Sequence, residues 1–99
     1  MNYYQQGDCL IKPITEIAGD VQVNRNVLIE GEHTGHAHRV TEGQFEIYMQ
    51  AQKIFLKAIT EIGITHEEHK KVVIPPGCYE IDQVREVDPF QNVLRRVQD

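Results

Sequence analysis

Apolar residues in this chain fall mostly into short alternating runs separated by turn formers, a pattern that predicts β-strands. Cys9-Leu10-Ile11-Lys12-Pro13-Ile14 follows Gly7-Asp8 and reads as a first strand. Pro13 near its end implies an edge, because proline has no N–H to offer a neighbouring strand. Ala18-Gly19-Asp20 is a turn. Val21, Val23, Val27 and Ile29 keep to odd positions, with Asn24-Arg25-Asn26 bending the chain between them, and Val27-Leu28-Ile29-Glu30 is the stronger strand. Val72-Val73-Ile74 is a further short strand, stopped by Pro75-Pro76-Gly77. Beyond it Tyr79, Ile81, Gln83 and Arg85 alternate with Cys78, Glu80, Asp82, Val84 and Glu86.

Residues 44–62 carry two patterns at once. Phe45, Tyr48, Met49, Gln52, Phe55, Leu56, Ile59 and Ile62 have helical spacing, and Thr41-x-x-Gln44 can form a capping box. Phe45, Ile47 and Met49 also alternate with polar residues, with 53–59 as a returning strand after Gln50-Ala51-Gln52. The hairpin is favoured, since strands on both sides need neighbours. Asp88-Pro89 ends the last strand and starts a short C-terminal helix with Phe90, Val93, Leu94 and Val97 on one face and Arg95 and Arg96 near its end. The expected fold is mainly β: a single domain over 1–99, built as a small antiparallel β-barrel or β-roll of seven or so strands with that helix.

Composition narrows the function classes. A hydrophobic fraction of 40% and a charged fraction of 25% suit a globular domain, and 99 residues leave little stability to spare, so a bound metal or partner subunit would help it stay folded. The formal charge of −5 argues against a nucleic-acid-binding surface, and Lys70-Lys71 and Arg95-Arg96 read as solvated pairs. No run approaches the roughly 20 apolar residues of a membrane span, and the polar start Met1-Asn2-Tyr3-Tyr4-Gln5-Gln6 lacks the form of a signal peptide. The expectation is a cytoplasmic protein, with a second copy or another protein as partner. In a reducing compartment Cys9 and Cys78 are expected to be buried thiols, with Cys78 the better candidate for reactivity or metal binding because it follows a turn.

The chemistry concentrates in histidine. All 5 lie in two clusters, His33-Thr34-Gly35-His36-Ala37-His38 and His66-Glu67-Glu68-His69. Neutral imidazole is a common transition-metal ligand. His36 and His38, two apart, face one side of a strand; His66 and His69, three apart, converge only if the intervening segment turns. The expected metal ligands are His36, His38, His66 and His69, holding a divalent ion, zinc first, with iron or manganese as alternatives. Glu42, Glu67 and Glu68 offer a harder ligand, a carboxylate that orients a histidine, or a general base. His33 falls out of phase unless Gly35 resets the chain. His66-Glu67-Glu68-His69 is not the zinc-protease pattern H-E-x-x-H, whose histidines are four apart.

Thr34-Gly35-His36-Ala37-His38, His66-Glu67-Glu68-His69 and Pro75-Pro76-Gly77-Cys78-Tyr79-Glu80 together resemble a small family of bacterial and phage proteins of uncharacterised function, over most of the chain. That resemblance implies a self-contained domain and no particular activity. A looser resemblance links His36, His38 and Glu42 to the first cupin motif, and Pro75-x-Gly77 to the second. It departs at Glu80, where the second motif has its histidine, in the glycine spacing of the first motif, and at His66 and His69, which have no counterpart.

Three functions follow as expectations. The first is a metal-binding β-domain with a structural or regulatory role, whose four histidines tie two loops together. The second is a small cupin-like metalloenzyme with three histidines, an open metal position and Glu67 or Glu68 as base, its reaction and catalytic residues unassigned. The third is a metal-independent accessory module that binds protein through strand edges and the aromatics Tyr3, Tyr4, Tyr79 and Phe90.

Overall fold

Strand after strand forms where alternation and turn chemistry coincide. The computed structural model describes residues 2–17, 21–30 and 35–84. The strands are β1 (Tyr4–Gln6), β2 (Cys9–Ile14), β3 (Val21–Val23), β4 (Val27–Glu30), β5 (Ala37–Glu42), β6 (Phe45–Gln50), β7 (Lys53–Ala58), β8 (Ile62–Thr65), β9 (Val72–Ile74) and β10 (Gly77–Gln83). They make a 6-stranded sheet in the order β1-β2-β10-β7-β6-β3 and a 4-stranded sheet in the order β4-β5-β8-β9. Every ladder is antiparallel.

The chain supplies the two sheets in turn. Hairpins β4–β5 and β8–β9 belong to the smaller sheet, and the β6–β7 hairpin and β10 to the larger. The inward residues of both sheets meet in one apolar core. Cys9, Ile11, Ile47, Leu56, Ala58, Tyr79 and Ile81 come from the larger sheet, and Leu28, Val40, Ile62, Ile64 and Ile74 from the smaller. Burial of these side chains, each worth about 1.5–3 kcal/mol when a large aliphatic leaves water, holds the layers together. The β9–β10 link is fastened by the Tyr79 hydroxyl, which donates to the Pro75 carbonyl at 2.6 Å.

Both patterns in 44–62 resolve to the hairpin. β6 and β7 pair from Phe45↔Ala58 to Gln50↔Lys53, leaving a two-residue loop with φ 55° at Ala51. A positive φ in the loop matches the right-handed twist of the flanking strands. Pro13 pairs with Tyr79 of β10 on one side, while β1 reaches only Ile11 on the other. It sits where its missing N–H does little harm.

The expected barrel or roll is corrected by the ladders. No barrel is closed among the described residues: β1 and β3 end the larger sheet, and β4 and β9 end the smaller. Alternation and turns are the same in a barrel and in two packed sheets, because closure depends on pairing between strands far apart in sequence. The described residues hold 10 strands and no helix. The expected C-terminal helix and the Ala18-Gly19-Asp20 turn lie outside them. β1 escaped the pattern because its inward residue is a glutamine, Gln6, only 1% exposed.

Cys9 is buried in the core and its thiol is pushed up to about 12 by burial, with the charge of Asp8 adding to the effect. Cys78 is half-buried. Among the described residues no helix is long and apolar enough to cross a membrane.

Candidate functional site

The two histidine clusters meet because β5 and β8 are neighbours. Arg39 pairs with Thr65 and Val40 with Ile64, so the start of β5, with His36 and His38, lies beside the end of β8, where His66 and Glu67 follow. Residues opposite one another in an antiparallel pair are in side-chain contact. The rings of His38 and His66 are 4.3 Å apart, His36 and His66 5.8 Å, His66 and His69 4.7 Å, and His38 and His69 6.2 Å. All four expected ligands therefore come together. Bends at 67–69 supply the turn that the three-residue spacing of His66 and His69 required. Gly35, with φ 86°, adopts the left-handed conformation just before His36. His33 lies outside the described residues.

His38 forms the floor of the cluster and is 0% exposed. Its Nδ1 lies 2.8 Å from Gln6 Oε1, and its Nε2 lies 2.8 Å from Asp8 Oδ1. The Gln6 amide nitrogen donates to the carbonyls of Ile64 at 2.9 Å and Lys70 at 2.8 Å, which fixes Oε1 as the atom facing His38. Both ring nitrogens are thus engaged by neighbours in the interior, the Nε2–Asp8 contact being the charge-assisted one. Burial presses the His38 imidazole below its ordinary value, the Asp8 hydrogen bond opposes that, and the neighbouring His66 and His69 reinforce it. Burial works to raise the Asp8 carboxyl, yet hydrogen bonds with Gln83, whose Nε2 donates to Oδ2 at 2.9 Å, and with His38 leave it below its ordinary value. In this arrangement both nitrogens of His38 are turned to Gln6 and Asp8.

Above that floor the donors are His36, His66 and Glu67. One ligand atom from each lies within 4.8 Å of the other two. Glu67 is held in place: its Oε1 accepts the Ala37 N–H at 2.9 Å, and its Oε2 accepts from Arg39 at 2.8 Å. These contacts, the Ala37 amide first, hold the Glu67 carboxyl down at about 2, so it is ionised at every ordinary pH. His66 Nδ1 accepts the Glu68 N–H at 3.0 Å, and Glu68 Oε2 is 3.7 Å from His36 Nδ1.

The other candidate carboxylate is elsewhere engaged. Glu42, which the cupin resemblance would make a ligand, forms an ion pair with Lys71 at 2.9 Å. It stands at the far end of β5 from His36 and His38.

Sequence reasoning missed Gln6 and Asp8, which hold His38, and Gln83, which holds Asp8. Gly7-Asp8 stood only as the residues before the first strand, and nothing local tied Asp8 to His38, 30 residues away. Gly7 has φ 57° and lies directly under the His69 ring.

A family model described as Domain of unknown function (DUF8820) matches residues 5–84. No curated protein and no solved structure matches the chain.

Proposed function

Starting from the chain's membership of that family of unknown function, we propose that this protein is a small metal-binding β-domain whose ion is held by His36, His66 and Glu67. The reading is carried by one observation: two imidazoles and a permanently ionised carboxylate, from two different strand ends, converge within 4.8 Å. Ligands about 2.0–2.2 Å from a tetrahedral zinc ion stand about 3.4 Å apart. Rotation of these partly exposed side chains would bring the three donors to that spacing. The donor set suits a divalent first-row ion, with zinc the first choice and iron or manganese accepted by the same nitrogen and oxygen donors.

The ion would tie the start of β5 to the segment between β8 and β9, joining both hairpins of the smaller sheet. His38, with Gln6 and Asp8 beneath it, acts as the floor that sets the His66 ring. At His66, metal entry competes with a contact already present. A neutral His66 has its lone pair at Nδ1, where the Glu68 amide now donates. Giving up that bond costs about 1 kcal/mol, small beside the roughly 10–16 kcal/mol of a structural zinc site.

The test is titration of the metal-free, untagged protein with Zn²⁺ against a chromophoric chelator. One ion per chain is expected to bind, and His36→Ala, His66→Ala and Glu67→Ala each to weaken binding by roughly tenfold or more. Binding that is absent, or indifferent to all three substitutions in folded protein, overturns the reading.

A further inference from the structure

We infer that the ion at this site keeps exchangeable coordination positions and accepts a small anionic ligand, a carboxylate or comparable oxyanion, so that the domain senses or processes such a ligand rather than merely being pinned by its metal. The inference rests on the metal reading above. It asks a separate question of the site: whether the protein fills the coordination shell.

Three features leave the shell open. The donor group comprises one atom each from His36, His66 and Glu67. Three protein ligands fall short of the four that a closed zinc site uses, and two histidines with one carboxylate is the set that leaves positions for exogenous ligands on iron. The nearest further imidazole, His38, is withheld, because both of its nitrogens face the acceptors Gln6 and Asp8 in the interior. Glu67 is drawn toward single-oxygen binding as well, since its Oε2 accepts from Arg39.

The surroundings favour an anion at those positions. Glu67 is 37% and Arg39 35% exposed at the side chain, so the site is reached from solvent at the edge where the guanidinium stands. A divalent ion with one carboxylate ligand retains a positive charge, and the carboxylate of Glu67 is already balanced by Arg39. Glu68 and His69, whose ring stands 4.7 Å from that of His66, are the described groups beside the site that could close the shell from within, and Glu68 is the one that would bring a charge. Its Oε2 lies 3.7 Å from His36 Nδ1 and its side chain is 62% exposed, which gives it reach and freedom to move. Capture of the ion by Glu68 would neutralise the charge and exclude the anion. The proposal is that the exposed Glu68 yields to an incoming ligand.

Cobalt(II) substitution separates these outcomes, with azide as the anion. The Co²⁺-loaded protein is expected to show visible bands whose position and intensity change saturably as azide is added, and the same response is expected in Glu68→Gln. A Co²⁺ spectrum that azide leaves unchanged in the wild type overturns the open-site proposal, whether or not Glu68→Gln gains a response. A gained response would identify Glu68 as the closing ligand. Failure of Co²⁺ and Zn²⁺ to bind at all removes the metal reading itself, and the open-site proposal with it.

Discussion

Gly7 packs face-on against the imidazole of His69, so closely that a β-carbon at Gly7 would stand 2.8 Å from His69 Cδ2. The glycine also has φ 57°, a conformation that costs a side-chain-bearing residue about 1–3 kcal/mol. Gly7→Ala is therefore expected to destabilise the fold by about 2 kcal/mol or more in urea unfolding. Combining it with His69→Ala removes the clash and leaves only the backbone strain. The double variant should lose clearly less than the sum of the two single losses; strict additivity would show that the ring does not press on this turn.

The buried contact between His38 and Asp8 is expected to behave as a coupled unit. Leaving a buried polar partner unsatisfied costs about 1–3 kcal/mol, so His38→Ala, which strips a partner from both Gln6 and Asp8, should lose about 3 kcal/mol, moderated by the partial exposure of Asp8. In a double-mutant cycle with Asp8→Asn, the coupling energy should reach about 1–2 kcal/mol. A value near zero would mean that the two side chains contribute independently.

Acid should act on the metal-free protein through Glu67. Its carboxyl is lowered from 4.5 to about 2 in the folded chain, chiefly by the Ala37 amide. A depressed folded value means that the contribution is complete above 4.5 and disappears as the pH falls toward about 2. Urea midpoints measured across that window should fall less steeply for Glu67→Gln than for the wild type. Equal slopes would show that the Ala37 and Arg39 contacts do not stabilise the ionised form.

Metal entry at His66 should be visible at the Glu68 amide, which donates to Nδ1 at 3.0 Å. Adding one equivalent of Zn²⁺ is expected to move this backbone resonance strongly and to speed its hydrogen exchange. An unaltered Glu68 amide alongside tight binding would place the metal bond at another atom.

Much of the secondary structure could be read locally. Cys9–Ile14, Val27–Glu30 and Val72–Ile74 follow directly from apolar runs bounded by turn residues, and the β6–β7 hairpin from alternation on both sides of Ala51. Closure could not be read in that way, since the same alternation serves a barrel and the two sheets that form. β1 was hidden for a different reason. Its buried position is filled by Gln6, whose amide is satisfied by carbonyls of Ile64 and Lys70, more than 50 residues away.

By itself the sequence determined a β architecture and a chemistry concentrated in imidazole and carboxylate. Those are local properties, set by side-chain type and a two-residue period. Tertiary structure alone decided that β5 and β8 pair in the register that brings His66 over His38 and Glu67 to the Ala37 amide. It also decided that His38 turns inward to Gln6 and Asp8 while His36, His66 and Glu67 gather above it. Residues alike in sequence took different roles because burial and hydrogen-bond partners come from distant strands, and no local pattern encodes which strands those will be.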